Sequence, residues 1–135
     1  MHNGLTMRTL LYLSALLALL FISCSRQNPE EMAARVAKQY YDYLLEGKYE
    51  AFVDGQHRPE KIPDSYREQL VMNIKMFMGQ QEREHLGIKE TRIVKAVADT
   101  SRHEANVFMV FCYGDSTTEQ VCIPMVEDGG VWYMR

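Results

Sequence analysis

The chain has 135 residues, 47% of them apolar and 24% charged, with 3 cysteines and a formal net charge of −3. No repeat or low-complexity segment interrupts it, and its length suits a single hydrophobic core beside a short leader. The acidic balance keeps such a domain soluble and argues against nucleic acid, for which a clustered basic face is expected.

The leader carries the first signal. Leu10 to Cys24 reads LLYLSALLALLFISC, and the 13 residues from Leu10 to Ile22 include only Tyr12 and Ser14 as weakly polar members. A bilayer-spanning helix needs about 20 apolar residues, so this run is short for an anchor. Arg8 precedes it with no acidic residue, which matches the positive start, apolar middle and small-residue boundary of an export signal. Phe21-Ile22-Ser23-Cys24 resembles the lipobox of bacterial lipoproteins, in which a small residue precedes a cysteine that receives a diacylglyceryl thioether before cleavage. Ile22, Ser23 and Cys24 fit that pattern, while Phe21 stands where Leu is usual. A thiolate is the side chain most readily alkylated near neutral pH, and two or more acyl chains, palmitate among them, hold a protein stably at a membrane. The resemblance implies a signal peptide over residues 1–23, lipid attachment at Cys24, a tether over 24–28 and a place in the cell envelope. The outer membrane, on its periplasmic side or surface, is then the first partner. The alternatives are an ordinary cleaved signal with an incidental cysteine, or an uncleaved tilted helix.

Removing residues 1–23 from 135 leaves 112, with 14 of the 15 basic residues facing all 18 acidic ones and a charge of −4. One domain is expected over 29–135. If Cys24 carries lipid, Cys112 and Cys122 remain as a pair in a compartment where disulfides persist.

Asn28 is a plausible N-cap and Pro29 suits the first helical turn, with Glu30 and Glu31 at the positive end of the dipole. Ala33, Val36, Ala37, Tyr40, Tyr43 and Leu44 then recur at the three- and four-residue spacing of one buried helical face. Gly47 supplies a left-handed stop, and a short second helix carries Tyr49 and Phe52 inward. Residues 54–62, with Gly55, His57 and Pro59, read as a surface connection. Pro63-Asp64-Ser65 opens the longest helix, running to about Glu84 with Tyr66, Leu70, Ile74, Phe77 and Met78 on one face. Gly79 costs about 1 kcal/mol relative to Ala in a helix interior, so a bend or fraying is expected there. Gly87 marks the exit.

Beyond Gly87 the period becomes alternating. Strands are predicted over Ile88 to Ala98, Glu104 to Tyr113, Thr117 to Val126 and Val131 to Met134, separated by turn signals at 99–101, 114–116 and 128–130. Connections this short join only antiparallel neighbours, so the fold class is α+β, with N-terminal helices packed on a four-stranded antiparallel meander. Val107, Met109, Phe111 and Tyr113 share one face of the second strand, and Val121, Ile123 and Met125 one face of the third. Cys112 and Cys122 therefore share the opposite face. A disulfide between them requires direct opposition, through an odd loop or a bulge around Ser116 to Thr118, with Cα atoms within about 7 Å. Otherwise they are two reduced thiols on a partly covered sheet.

A helix ending Leu-Glu-Gly-Lys-Tyr-Glu-Ala-Phe, a long helix after it, and a meander closing on Asp-Gly-Gly-Val-Trp-Tyr-Met resemble the nuclear transport factor 2-like superfamily, here shortened to NTF2-like. More narrowly, the chain is similar to lipoproteins of that fold from Bacteroides-type bacteria. The resemblance spans about residues 29–135. It implies a sheet curled into a cone whose mouth the helices close. In enzyme members an Asp, His or Tyr inside the cone does acid–base work; in others the cavity binds or the sheet dimerises.

No catalytic motif carries over from that family. His57, His85 and His103 read as surface histidines, without the spacing that brings two onto one metal, and no cofactor is implied. Asp42 lies off the main apolar stripe and Asp54 follows the second helix, so either could border a cavity, although a solvated acid is the simpler reading. Tyr40, Tyr43, Phe77, Met109, Phe111, Ile123 and Trp132 are the candidate cavity lining; core packing is the alternative. Phe108 and Val110 make the sheet apolar on both faces, whereas a meander packed on one side should alternate cleanly. Something is expected to cover the second face: a second copy, an envelope protein or the curvature of the sheet itself. The first functional reading is thus a membrane-tethered, non-enzymatic binding or assembly module. The second is a small hydrolase or isomerase with an acid such as Asp42 in the cone.

Overall fold

The computed structural model describes residues 3–19 and 28–135. Its elements are α1 (Asn3–Leu19), α2 (Pro29–Leu45), α3 (Tyr49–Asp54), α4 (Asp64–His85), β1 (Ile88–Asp99), β2 (Glu104–Tyr113), β3 (Thr118–Asp128) and β4 (Val131–Met134). Along α1, Leu10, Leu11, Tyr12 and Leu13 are all more than 60% exposed. No helix among the described residues is long and apolar enough to cross a membrane. Cys24 and the Phe21-Ile22-Ser23 segment expected to form a lipobox with it lie outside the described residues.

Local chemistry accounts for the element ends. The Asn28 side chain accepts a hydrogen bond from the Glu30 amide at 3.0 Å, and Pro29 fills the first helical position, as its missing N–H allows. α4 runs through Gly79 to His85 and ends in two left-handed residues, Leu86 at φ 59° and Gly87 at φ 84°. The Gln81 carbonyl accepts hydrogen bonds from both of their amides. Between β3 and β4, Gly129 and Gly130 both take positive φ, at 58° and 79°, which a two-residue hairpin loop needs if its twist is to match the strands.

The four strands form one antiparallel sheet in the order β1-β2-β3-β4. Its inner face carries Thr91, Ile93 and Ala96 on β1 and the odd-numbered residues of β2, opposite Val121, Ile123 and Met125 on β3. α2 lies across this face. Ala33, Ala37 and Leu44 meet Val107, Met109, Ile123, Met125 and Trp132 in a core in which each is at most 6% exposed. Two small residues on α2 let the helix axis approach the sheet closely. Among the described residues the buried core lies between Ala33 and Met134. β4 is edged by the segment after α3: the His57 amide donates to the Met134 carbonyl at 2.7 Å, and the Met134 amide to the Gly55 carbonyl at 2.9 Å.

Two expectations are corrected here. Tyr66 is 51% exposed, and the buried line of α4 runs instead through Val71 and Gln81, with Ile74, Phe77 and Met78 partly covered. Among the described elements only α3 and β1 make substantial contact with α4, and Tyr66, Met72 and Met76 on it stay exposed. The Cys112–Cys122 disulfide is also overturned: both cysteines are free. Cys112 opposes Thr118 and Cys122 opposes Phe108. The two thiols share a face, as parity requires, but stand four residues apart along the ladder, roughly 13 Å at the rise of a strand, where a bridge needs less than about 7 Å. The register follows from a three-residue loop, Gly114-Asp115-Ser116, closed by the Tyr113 amide on the Thr117 carbonyl at 2.9 Å, with Ser116 left-handed at φ 69°.

Candidate binding surfaces

The interior is packed with side chains. Met109, Phe111, Ile123 and Trp132 are core residues between 0% and 6% exposed. Tyr41 adds the aromatic link that the α2 stripe omitted. Its ring stands edge-on to Phe52 at 5.3 Å and tilted against Phe111 at 5.4 Å, and burial pushes its phenol up to about 12. The stripe assumed that α2 is covered from the sheet side alone, whereas α3 folds back and covers a second flank. The inward Phe52 was the one sequence signal for that flank.

Among the described residues, the buried polar side chains are Gln81 and Thr91. Asp42 is not in the interior: its side chain is 39% exposed and pairs with Lys38, one helical turn earlier, at 2.9 Å. The acid considered for a cavity base therefore stands on the outer flank of α2. Asp54 accepts two hydrogen bonds from Arg67, both at 2.8 Å, and this pairing lowers its pKa.

The seven candidate lining residues separate into three places. Tyr40, Tyr43 and Trp132 border a groove of about 380 Å³ between α2 and β4, with Val36 and Val131 as apolar walls and Arg35 and Gln39 at its rim. The Tyr40 hydroxyl donates to the Trp132 carbonyl at 2.8 Å and so ties the two sides together. Phe77, half-buried against the core, borders instead a wider groove of about 590 Å³ along α4 with Met72 and Met76. Met109, Phe111 and Ile123 border neither groove and remain in the core.

The opposite face of the sheet carries the other candidates. Register places Lys95, Phe108 and Cys122 in one row, with Arg92, Val110 and Gln120 in the next and Glu90, Cys112 and Thr118 beyond it. Phe108, Val110 and Cys112 are half-buried and Cys122 is exposed. Lys95 Nζ stands 5.2 Å from the Phe108 ring centre, a cation over an aromatic face. α2 packs on the other side, so this cover comes from neighbouring side chains on the sheet. The result is an apolar centre rimmed by Lys95, Arg92 and Glu90, the last two joined by a 3.1 Å ion pair.

His103 is exposed, while His57 and His85 are half-buried and have acidic partners that sequence distance conceals. His57 Nε2 lies 2.9 Å from Asp128 Oδ2, and His85 Nδ1 lies 3.0 Å from Asp115 Oδ2. His85 also stacks on Tyr113 with ring centres 4.3 Å apart. Among the described residues no three His, Cys, Asp or Glu side chains gather in a metal-ligating group.

No family model matches the chain, and no curated protein matches it. Among solved structures it is similar to one from Campylobacter jejuni provisionally named as an NTF2-like transpeptidase, with a TM-score of 0.59 at 12% identity, covering 74% of this chain and 94% of that one. At that identity the likeness is one of fold. Helices packed on a curled four-stranded antiparallel sheet make this an α+β domain with the NTF2-like cone.

Proposed function

We propose that this protein is a lipid-anchored, non-enzymatic binding or assembly module of the bacterial cell envelope, in which the open sheet face around Phe108 and Val110 meets a second copy of the chain. The supporting observation is the sheet's apolar character on both sides: α2 occupies one, while Phe108, Val110 and Cys122 lie on the other with no helix among the described residues packed against them. Exposed apolar patches rimmed by polar groups mark association surfaces. Phe108→Lys places a charge at the centre of that patch and should convert a dimer, measured by light scattering, to a monomer. A wild-type chain that is already monomeric would remove the second copy and leave an envelope protein as the partner.

The anchor is tested separately. Intact-mass measurement of membrane-extracted protein should give a chain beginning at Cys24 with added acyl mass, and an unmodified Cys24 or a start at Ser25 would remove it. A hydrolase or isomerase is the second reading; the Campylobacter jejuni structure is named as an enzyme, a transpeptidase, which is compatible with an enzymatic role but names neither class. Asp42 does not serve it, because Lys38 holds that carboxylate on the outer flank.

A further inference from the structure

The groove between α2 and β4, about 380 Å³, lies outside the packed interior of the cone, since Met109, Phe111 and Ile123 do not border it. It also shares no residue with the patch around Phe108 and Val110. Its two sides are joined before anything enters. The Tyr40 hydroxyl holds the Trp132 carbonyl at 2.8 Å, and Trp132 is 5% exposed, so the floor is preformed. Tyr40, Tyr43 and Trp132 supply aromatic surface, while Met32, Val36 and Val131 supply aliphatic walls. Gly130 leaves the end at the β3–β4 turn open, because nothing lies within 4 Å of where its Cβ would stand.

Charge gives this groove a sign. Among the described residues Arg35 is the one charged member of its lining, and no carboxylate borders it. The exposed Arg35 side chain makes no ion pair and no side-chain hydrogen bond among the described residues. Glu31, one turn earlier on α2, and Glu127, opposite Trp132 on the ladder, neither line the groove nor pair with Arg35. Asp42 and Asp128 are held by Lys38 and His57. Gln39 stands one turn after Arg35 on the same flank of α2 and brings an amide to the same rim. An occupant lying along the aromatic walls therefore meets one guanidinium fork, whose paired N–H groups match a carboxylate.

We propose that this groove binds a small aromatic monocarboxylate, its ring against Tyr43, Trp132 and Val131 and its carboxylate on Arg35, with the Gln39 amide donating beside it. Aromatic walls favour a ring over an alkyl chain of equal area, and a single cation selects a single negative charge. The chain has 1 tryptophan, so the Trp132 indole N–H gives one NMR cross-peak that reports on the groove. The full chain in non-ionic detergent is titrated separately with phenylpropanoate, phenylpropylammonium and acetate. Phenylpropanoate should shift that peak saturably, with a dissociation constant of about 1 mM, as a ligand of this size reaches at ordinary efficiency. The ammonium should bind about fivefold more weakly or not at all, and acetate, which lacks the ring, should give no saturable shift. Arg35→Gln should weaken phenylpropanoate about fivefold, the upper end for an exposed ion pair, with an unchanged thermal midpoint because Arg35 is exposed and unpaired. Val131→Glu sets a carboxylate on a wall residue that is 47% exposed and should abolish the saturable shift. Absence of a saturable shift with phenylpropanoate up to roughly 20 mM, well above the affinity expected, would overturn the proposal. So would equal binding of the ammonium, or unchanged affinity in both variants.

Discussion

The Tyr40 hydroxyl donates to the Trp132 carbonyl oxygen at 2.8 Å, joining residues 92 positions apart and fastening α2 to the last strand. It is the one side-chain hydrogen bond of α2 to β4, and it crosses the groove that Tyr43 and Val131 also border. Tyr40→Phe keeps the ring and deletes the bond. Stability in urea should fall by about 1 kcal/mol, the net worth of a typical intramolecular hydrogen bond, with the midpoint lowered and the slope unchanged.

Thr91 is 2% exposed on the inner face, and among the described residues its hydroxyl has no hydrogen-bond partner. An unsatisfied buried hydroxyl costs about 1–3 kcal/mol, and valine matches threonine in shape while raising strand propensity. Thr91→Val should therefore stabilise the domain by roughly 1 kcal/mol, read as a higher midpoint in chemical denaturation. A lower midpoint would mean that the hydroxyl is satisfied in solution.

The carboxyl of Asp115 is pulled down to about 2, first by the Thr117 hydroxyl, then by the Thr117 amide and by His85. Its unfolded value is about 3.9. A folded pKa below the unfolded one contributes stability that is present above about pH 4 and is lost as pH falls through about 2. Carbon-detected NMR should place the Asp115 titration near 2, and Asp115→Asn should flatten the acid limb of the stability curve in that window alone.

Cys112 and Cys122 should both react with iodoacetamide when the chain is unfolded without reductant, because four ladder positions separate them. Recovery of a Cys112–Cys122 bridged peptide would require the β2–β3 hairpin to have slipped register.

Local signals made much of this fold legible. The strand starts at Ile88, Glu104 and Val131 agree with expectation, and the strand ends lie within two residues of it, because Asp99, Asp115 and Gly129 carry turn chemistry that acts over three or four residues. α2 likewise starts where Asn28 and Pro29 direct. Parity placed Cys112 and Cys122 on one face, since alternation is a property of a single strand. Whether they meet depended on the left-handed Ser116, a loop conformation that the residue type does not dictate.

Side-chain fates that depend on a second element were out of reach. Tyr41 became a core residue because α3 returned against α2, and Tyr66 stayed exposed because no described element crosses the outer side of α4. His57 and Asp128 became neighbours only when the segment after α3 was laid along β4. The sequence by itself determined periods, caps, turns and the class of the fold, all set within one turn or one hairpin. Tertiary structure alone decided the ladder offset, the cover on each helix face and the meeting of His57 with Asp128, because these depend on packing between parts of the chain whose contacts local rules do not specify.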